Sequence, residues 1–223
     1  MKTVLIVAVH PDDESLGAGG ALLRHKAQGD QVHWLIMTSP SGVGGYSDEF
    51  IEKRNRTIAQ VTGAYGFDSV TELSFPATGL SEVPESTLVQ TISEAFSSIE
   101  PNIVYIPFHS DVHGDHKMAF EAVYSCTKPF RYPSIEKVLM VETISETDQA
   151  VAVPSLSFIP NVFVDITSYI EQKLEILALY ETEMHPPPFP RSLEAVQALA
   201  RVRGAVIQAH YAEAFMLLKE VIR

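Results

Sequence analysis

His10-Pro11-Asp12-Asp13-Glu14 and His113-Gly114-Asp115-His116 gather imidazoles and carboxylates into two short stretches far apart in the chain. These are the side chains that bind divalent metals of intermediate softness and move protons near neutral pH. His10 and Asp13, three positions apart across a turn, can point at one spot, and Pro11 stiffens the backbone between them. Alone, the first stretch also reads as an acidic turn capping a helix, since Asp and Glu favour the positive end of the helix dipole. The second stretch shifts the balance. His109, His113 and His116 place three histidines within eight positions, and such clustering is uncommon for residues that serve singly as structural hydrogen-bonders.

A donor set of imidazole and carboxylate without thiolate suits Zn²⁺, with Fe²⁺, Co²⁺ or Mn²⁺ as replacements, whereas Mg²⁺ and Ca²⁺ prefer oxygen-only sites. Three protein ligands of the His₂Asp kind leave a position for water, whose pKa such a metal lowers toward about 7. A proton acceptor must stand nearby. Asp12, next to a ligand but needed by neither strand nor core, is the natural candidate.

The surrounding pattern places both stretches on the same kind of turn. Residues 3–9 form an apolar, β-branched run expected of a strand buried on both faces. Residues 15–28 show helical spacing and stop at Gly29. Strands are expected at 31–37, 70–75 and 103–106, and helices at 47–65 and 84–99. This alternation predicts an α/β, Rossmann-like three-layer fold with a mainly parallel sheet flanked by helices, in a single domain over 1–223. In such sheets ligands sit beyond the carboxyl ends of the strands. Strand 3–9 leads directly into His10, and strand 103–106 into the segment 108–116. Further along, strands are expected near 138–142 and 162–164 and helices at 168–180 and from Ser192 to about 208. A polyproline-like loop is expected over 185–190 and a last extended segment at 211–215.

Composition excludes several classes. The 223 residues carry a net charge of −12, with a pI near 5.0, and the basic residues are scattered, which disfavours a nucleic-acid partner. The single cysteine, Cys126, cannot form an internal disulfide. The apolar run before His10 is too short for a signal sequence or membrane span, so the expectation is a cytoplasmic enzyme. Gly17-Ala18-Gly19-Gly20 fails the dinucleotide fingerprint, because its third glycine would fall on Leu22. The glycines are expected to let the first helix approach the sheet. The apolar stretch 215–218 fits a homo-oligomer interface as readily as a core.

Residues 8–20 together with His113-Gly-Asp-His116, and the tail around 204–215, resemble the LmbE-like, or PIG-L, family of zinc-dependent N-acetylglucosaminyl de-N-acetylases. The resemblance implies that His10, Asp13 and His116 bind zinc and that Asp12 is the general base. It implies that His113 stabilises the oxyanion and that Asp115 orients and charges that imidazole. Arg54 stands at the spacing of the family's substrate-binding arginine, although Thr57 replaces the glutamate usual three residues later. The implied reaction removes the acetyl group from a small-molecule N-acetylglucosaminyl-type amino sugar or sugar conjugate. The alternative enzyme is a zinc amidase cleaving a bulkier N-acyl or thiol-conjugate amide. A non-catalytic metal- or sugar-binding protein is a further class, which Asp12, His113 and Asp115 argue against because a structural site needs none of them.

Overall fold

The computed structural model describes residues 1–40 and 45–223. β1 (Thr3–Ala8), β2 (Gln31–Ser39), β3 (Ser69–Pro76), β4 (Ile103–Ile106), β5 (Lys137–Val141), β6 (Val162–Asp165) and β7 (Ala212–Glu220) form one seven-stranded sheet in the order β3-β2-β1-β4-β5-β7-β6. The first five strands pair in parallel; β7 runs antiparallel between β5 and β6. The helices are α1 (Asp13–Ala27), α2 (Asp48–Tyr65), α3 (Glu85–Ile99), α4 (Gly114–Ser125), α5 (Ile170–Leu177) and α6 (Leu193–Val206).

Strand alternation builds the three layers. Val4, Ile6 and Ala8 face one core with α1, α2, α5 and α6, while Leu5, Val7 and Val9 face the other with α3 and α4. Each face of β1 is thereby sealed from water, which is why its sequence is continuously apolar. The three-layer, mainly parallel architecture is the one the alternation predicted.

The chain winds from β1 outward to β3, then crosses back so that β4 lies on the other side of β1. That reversal opens a crevice beyond the carboxyl ends of β1 and β4, the place where doubly wound sheets hold ligands. Gly17, Gly19 and Gly20 allow α1 to lie close to its neighbours: a Cβ on Gly20 would fall 2.6 Å from Ile166, and one on Gly17 2.9 Å from Val141.

At four places the structure adds to or departs from the sequence reading. Helix α4 has no counterpart in the sequence reading, which followed the second motif only to His116. The segment 185–190 is not a continuous polyproline stretch, since Phe189 N–H bonds back to the carbonyl of Pro186 at 3.2 Å and closes a turn. The last extended segment, expected at 211–215, runs on to Glu220 as a strand that lies between β5 and β6 in the sheet. Residues 215–218 therefore belong to the core: Phe215 is fully buried, and Met216, Leu217 and Leu218 pack against the two clusters. Among the described residues no helix is long and apolar enough to cross a membrane.

Candidate metal centre and active site

The β1–α1 turn builds half of the site. Asp13 opens α1, but its carboxylate turns back: Oδ2 accepts the N–H groups of Val9 at 3.0 Å and His10 at 2.8 Å. The Asp12 side chain makes no capping bond, although it stands at the cap position. The carboxylates thus do not serve as a helix cap. Asp12 adopts φ = 133°, a conformation costly for a residue with a side chain and characteristic of functional turns. Beneath it, Glu14 accepts the Asp12 N–H at 3.0 Å and the Tyr180 hydroxyl at 2.6 Å. Burial pushes the Glu14 carboxyl up to about 7.

The β4–α4 connection builds the other half. His113 caps α4, its Nδ1 accepting the Asp115 N–H at 3.1 Å. One turn in, His116 is buried, with Nδ1 2.8 Å from Asp111 Oδ2 and Nε2 3.4 Å from Asp13 Oδ2. Asp111 is itself held by the Thr147 hydroxyl at 2.6 Å. This chain of bonds fixes the orientation of the His116 ring, the usual outer support of a metal-binding histidine.

His10, Asp13 and His116 converge, with one donor atom from each lying within 4.8 Å of the others. The His10 Nδ1 to Asp13 Oδ2 separation is 3.9 Å. Ligands each about 2.1 Å from a tetrahedral metal stand about 3.4 Å apart, so the observed spacing fits a zinc-sized ion with small adjustments. Charge agrees with geometry. Burial works to neutralise His116, yet Asp13 and Asp111 on either side raise its pKa well above the ordinary range. Burial likewise raises Asp13, but His116 and His10 hold it well below the usual carboxylate value. The cluster is built to surround positive charge. His10, His113 and Asp115 form a second, overlapping group.

A cleft of about 240 Å³ opens over these residues. Asp12 lies on its wall with His10, His113, Arg54 and Arg191. Burial and the adjacent Asp13 raise the Asp12 pKa well above its usual value, against the pull of Arg191. Burial, with His10 and His116 close by, lowers the pKa of His113.

Asp115 does not meet the expectation of a carboxylate holding His113. Its Oδ2 lies 3.4 Å from His10 Nε2, and its oxygens accept the N–H groups of Thr78 at 2.7 Å and Leu80 at 3.1 Å. It is the backbone amide of Asp115 that orients His113. With Nδ1 accepting that bond, the proton of a neutral imidazole sits on Nε2. Arg54 reaches the cleft wall, with Nη1 2.8 Å from Glu72 and Nη2 2.9 Å from the Thr38 carbonyl. Glu72, on β3, supplies a carboxylate partner where Thr57 on α2 offers none. Pro40, Tyr46, Phe50 and Arg191 complete the cleft lining, while residues 41–44 lie outside the described residues.

Sequence reasoning missed Arg191. Its Nη1 binds Asp12 Oδ2 at 2.8 Å, its Nε the Ser145 hydroxyl at 2.7 Å and its Nη2 Glu146 at 3.2 Å. The only local signal was position, directly after a proline-rich loop and before the Ser192 cap. Asp111 was missed as well; it lies within the histidine-rich segment but matches no spacing rule for a ligand.

Comparison with known proteins places these features in context. The family profile described as "PIG-L: GlcNAc-PI de-N-acetylase" matches residues 5–127. An Escherichia coli (strain K12) protein named "Uncharacterized deacetylase YaiS" is 26% identical over 188 residues, covering 81% of this chain and 91% of that protein. The conserved protein TT1542 from Thermus thermophilus superposes with a TM-score of 0.79 at 27% identity, covering 100% of this chain and 97% of its own. The N,N'-diacetylchitobiose deacetylase of Pyrococcus horikoshii superposes with a TM-score of 0.77 at 21% identity, over 98% of this chain and 84% of its own; at that identity the likeness is one of fold.

Proposed function

Because the chain belongs to the PIG-L family, whose profile covers more than half of it, we propose that it is a zinc-dependent hydrolase removing the acetyl group from an N-acetylglucosaminyl-type amino sugar or conjugate. The observation that carries this reading is the convergence of the His10, Asp13 and His116 donor atoms, with His10 and the neighbouring Asp12 lining one cleft. The whole chain would act as one catalytic domain. A divalent metal held by His10, Asp13 and His116 would acidify a water and polarise the acetyl carbonyl.

The residues around it divide the remaining work. Asp12 accepts the proton of the attacking water. Arg191 holds Oδ2 of Asp12, which leaves Oδ1 for that transfer, and a buried carboxylate flanked by Asp13 is a stronger base than one in water. His113, on the cleft wall with its proton on Nε2, donates to the oxyanion as the carbonyl carbon becomes tetrahedral. One such preorganised donor contributes about 3–4 kcal/mol to the transition state. The C–N bond then breaks as nitrogen takes up the proton from Asp12, yielding acetate and a free amine. Asp115 acts at one remove, holding His10 through its side chain and His113 through its amide.

Acetate release from a series of N-acetylglucosaminyl compounds, with metal content measured on the same preparation, tests this reading. The expected result is one bound zinc per chain and acetate stoichiometric with new amine. Turnover that persists after complete removal of metal would overturn it.

A further inference from the structure

The charges bordering the cleft carry information about the rest of the substrate. Among the described residues its wall carries three side chains with a permanent positive charge, Lys53, Arg54 and Arg191. Each already faces a carboxylate. Arg54 is paired with Glu72, Arg191 with Asp12, Glu146 and Glu183, and Lys53 with Glu181 at 2.9 Å. Five carboxylates (Asp12, Glu72, Glu146, Glu181 and Glu183) thus stand against three cations. The Lys53–Glu181 pair is exposed and adds little to stability, but its carboxylate still opposes any anion that approaches the lysine. A phosphate-binding wall needs cations whose donors are free to fork onto the phosphate oxygens. Here Arg54 Nη1 and Nη2 are both engaged by the protein.

The same wall offers an apolar surface. Tyr46 and Phe50 stack with ring centroids 5.2 Å apart and an interplanar angle of 29°, and both line the cleft. Tyr46 remains 38% exposed, so this pair presents aromatic surface to whatever extends from the metal centre toward the mouth. A flat ring face gains contact there without needing a charge partner.

We propose that the substrate carries, beyond the N-acetylated sugar, an uncharged ring that seats on Tyr46 and Phe50, and that the cleft discriminates against a phosphate at that position. This rests on the deacetylase reading above and narrows its substrate class.

Three probes decide it: N,N'-diacetylchitobiose, with an uncharged second ring; N-acetylglucosamine 1-phosphate, with a charged group in its place; and free N-acetylglucosamine. The zinc-loaded protein is expected to favour the disaccharide over the phosphate by about tenfold or more in kcat/KM, the repulsion being electrostatic. Tyr46→Ala should raise KM for the disaccharide about tenfold and shrink its advantage over the free sugar, as loss of one aromatic contact does. Glu72→Gln, which frees Arg54, should raise turnover of the phosphate and narrow the preference. Equal turnover of disaccharide and phosphate by the unaltered protein would overturn the inference, as would an unchanged disaccharide KM in a folded Tyr46→Ala. Phosphate turnover unmoved by Glu72→Gln would count against the charge argument in the same way. Acetate release from none of the three would instead overturn the deacetylase reading, and this inference with it.

Discussion

Arg191 Nη1 lies 2.8 Å from Asp12 Oδ2, although the two residues are 179 positions apart. The guanidinium also grips Ser145 and Glu146, so it ties the β1–α1 turn, the segment after β5 and the connection before α6 into one cleft wall. One oxygen of the base is thereby fixed and the other is left to the cleft.

Asp12→Asn is expected to lower kcat by about 10²–10⁴-fold, the usual contribution of a positioned general base. Its zinc content should not change, because the metal donors are His10, Asp13 and His116. Elemental analysis beside steady-state kinetics checks both halves. Arg191→Met should lower kcat less than Asp12→Asn does, because it frees the carboxylate without removing it.

His116→Ala should abolish metal binding, whereas Asp111→Asn should only weaken it. Asp111 touches His116 Nδ1 rather than the metal position, and loss of such outer support typically costs about 10–100-fold in affinity. Competition with a chromogenic chelator would read the difference. Equal zinc affinity in Asp111→Asn and the parent protein would contradict the geometry.

Removal of metal should also lower the melting temperature. Asp13 and His116 are buried and paired around a site that calls for positive charge, and ligand that binds only the folded state stabilises it by mass action. Thermal melts of stripped protein titrated with Zn²⁺ should climb steadily with free metal.

Lys173 and Glu213 form a buried pair at 2.6 Å. Glu213 accepts the Gly20 and Ala21 N–H groups, while Lys173 donates to the Leu16 carbonyl at 3.0 Å. This clamp holds the middle of α1, the helix that begins at Asp13. Lys173→Met leaves a buried, unpaired carboxylate and should cost about 3–5 kcal/mol in denaturant unfolding. Adding Glu213→Gln should recover part of that loss.

Acid should weaken the α1–β2 edge through Asp68. Its carboxylate accepts the Lys26 ammonium and the Val32 N–H, both at 2.7 Å. Burial raises its pKa, but these partners together outweigh it and hold the carboxyl below the ordinary aspartate value. The folded pKa is the lower one, so the stabilisation is fully present above about pH 4 and is lost as pH falls through the folded value. Asp68→Asn should flatten the acid limb of a stability-versus-pH profile, and an unchanged slope would contradict this assignment.

The amino-acid sequence by itself determined the parts whose signals are local. A continuous apolar run marked β1 because a strand buried on both faces tolerates little else, and helical spacing with Gly29 as its stop marked α1. Both motifs were readable because each lies in the connection that follows a buried strand: His10 and Asp13 directly after β1, and His113 and His116 at the start of the helix a short segment beyond β4. Only the tertiary structure decided the relations between segments. It set Arg191 on Asp12, Asp111 behind His116, and the Asp115 side chain against His10 instead of His113. It placed β7 inside the sheet, where 215–218 became core, and paired Arg54 with Glu72 on β3. Periodicity and turn chemistry report what a residue's neighbours in the chain require, whereas these partners are chosen by the packing of loops and strands distant in sequence.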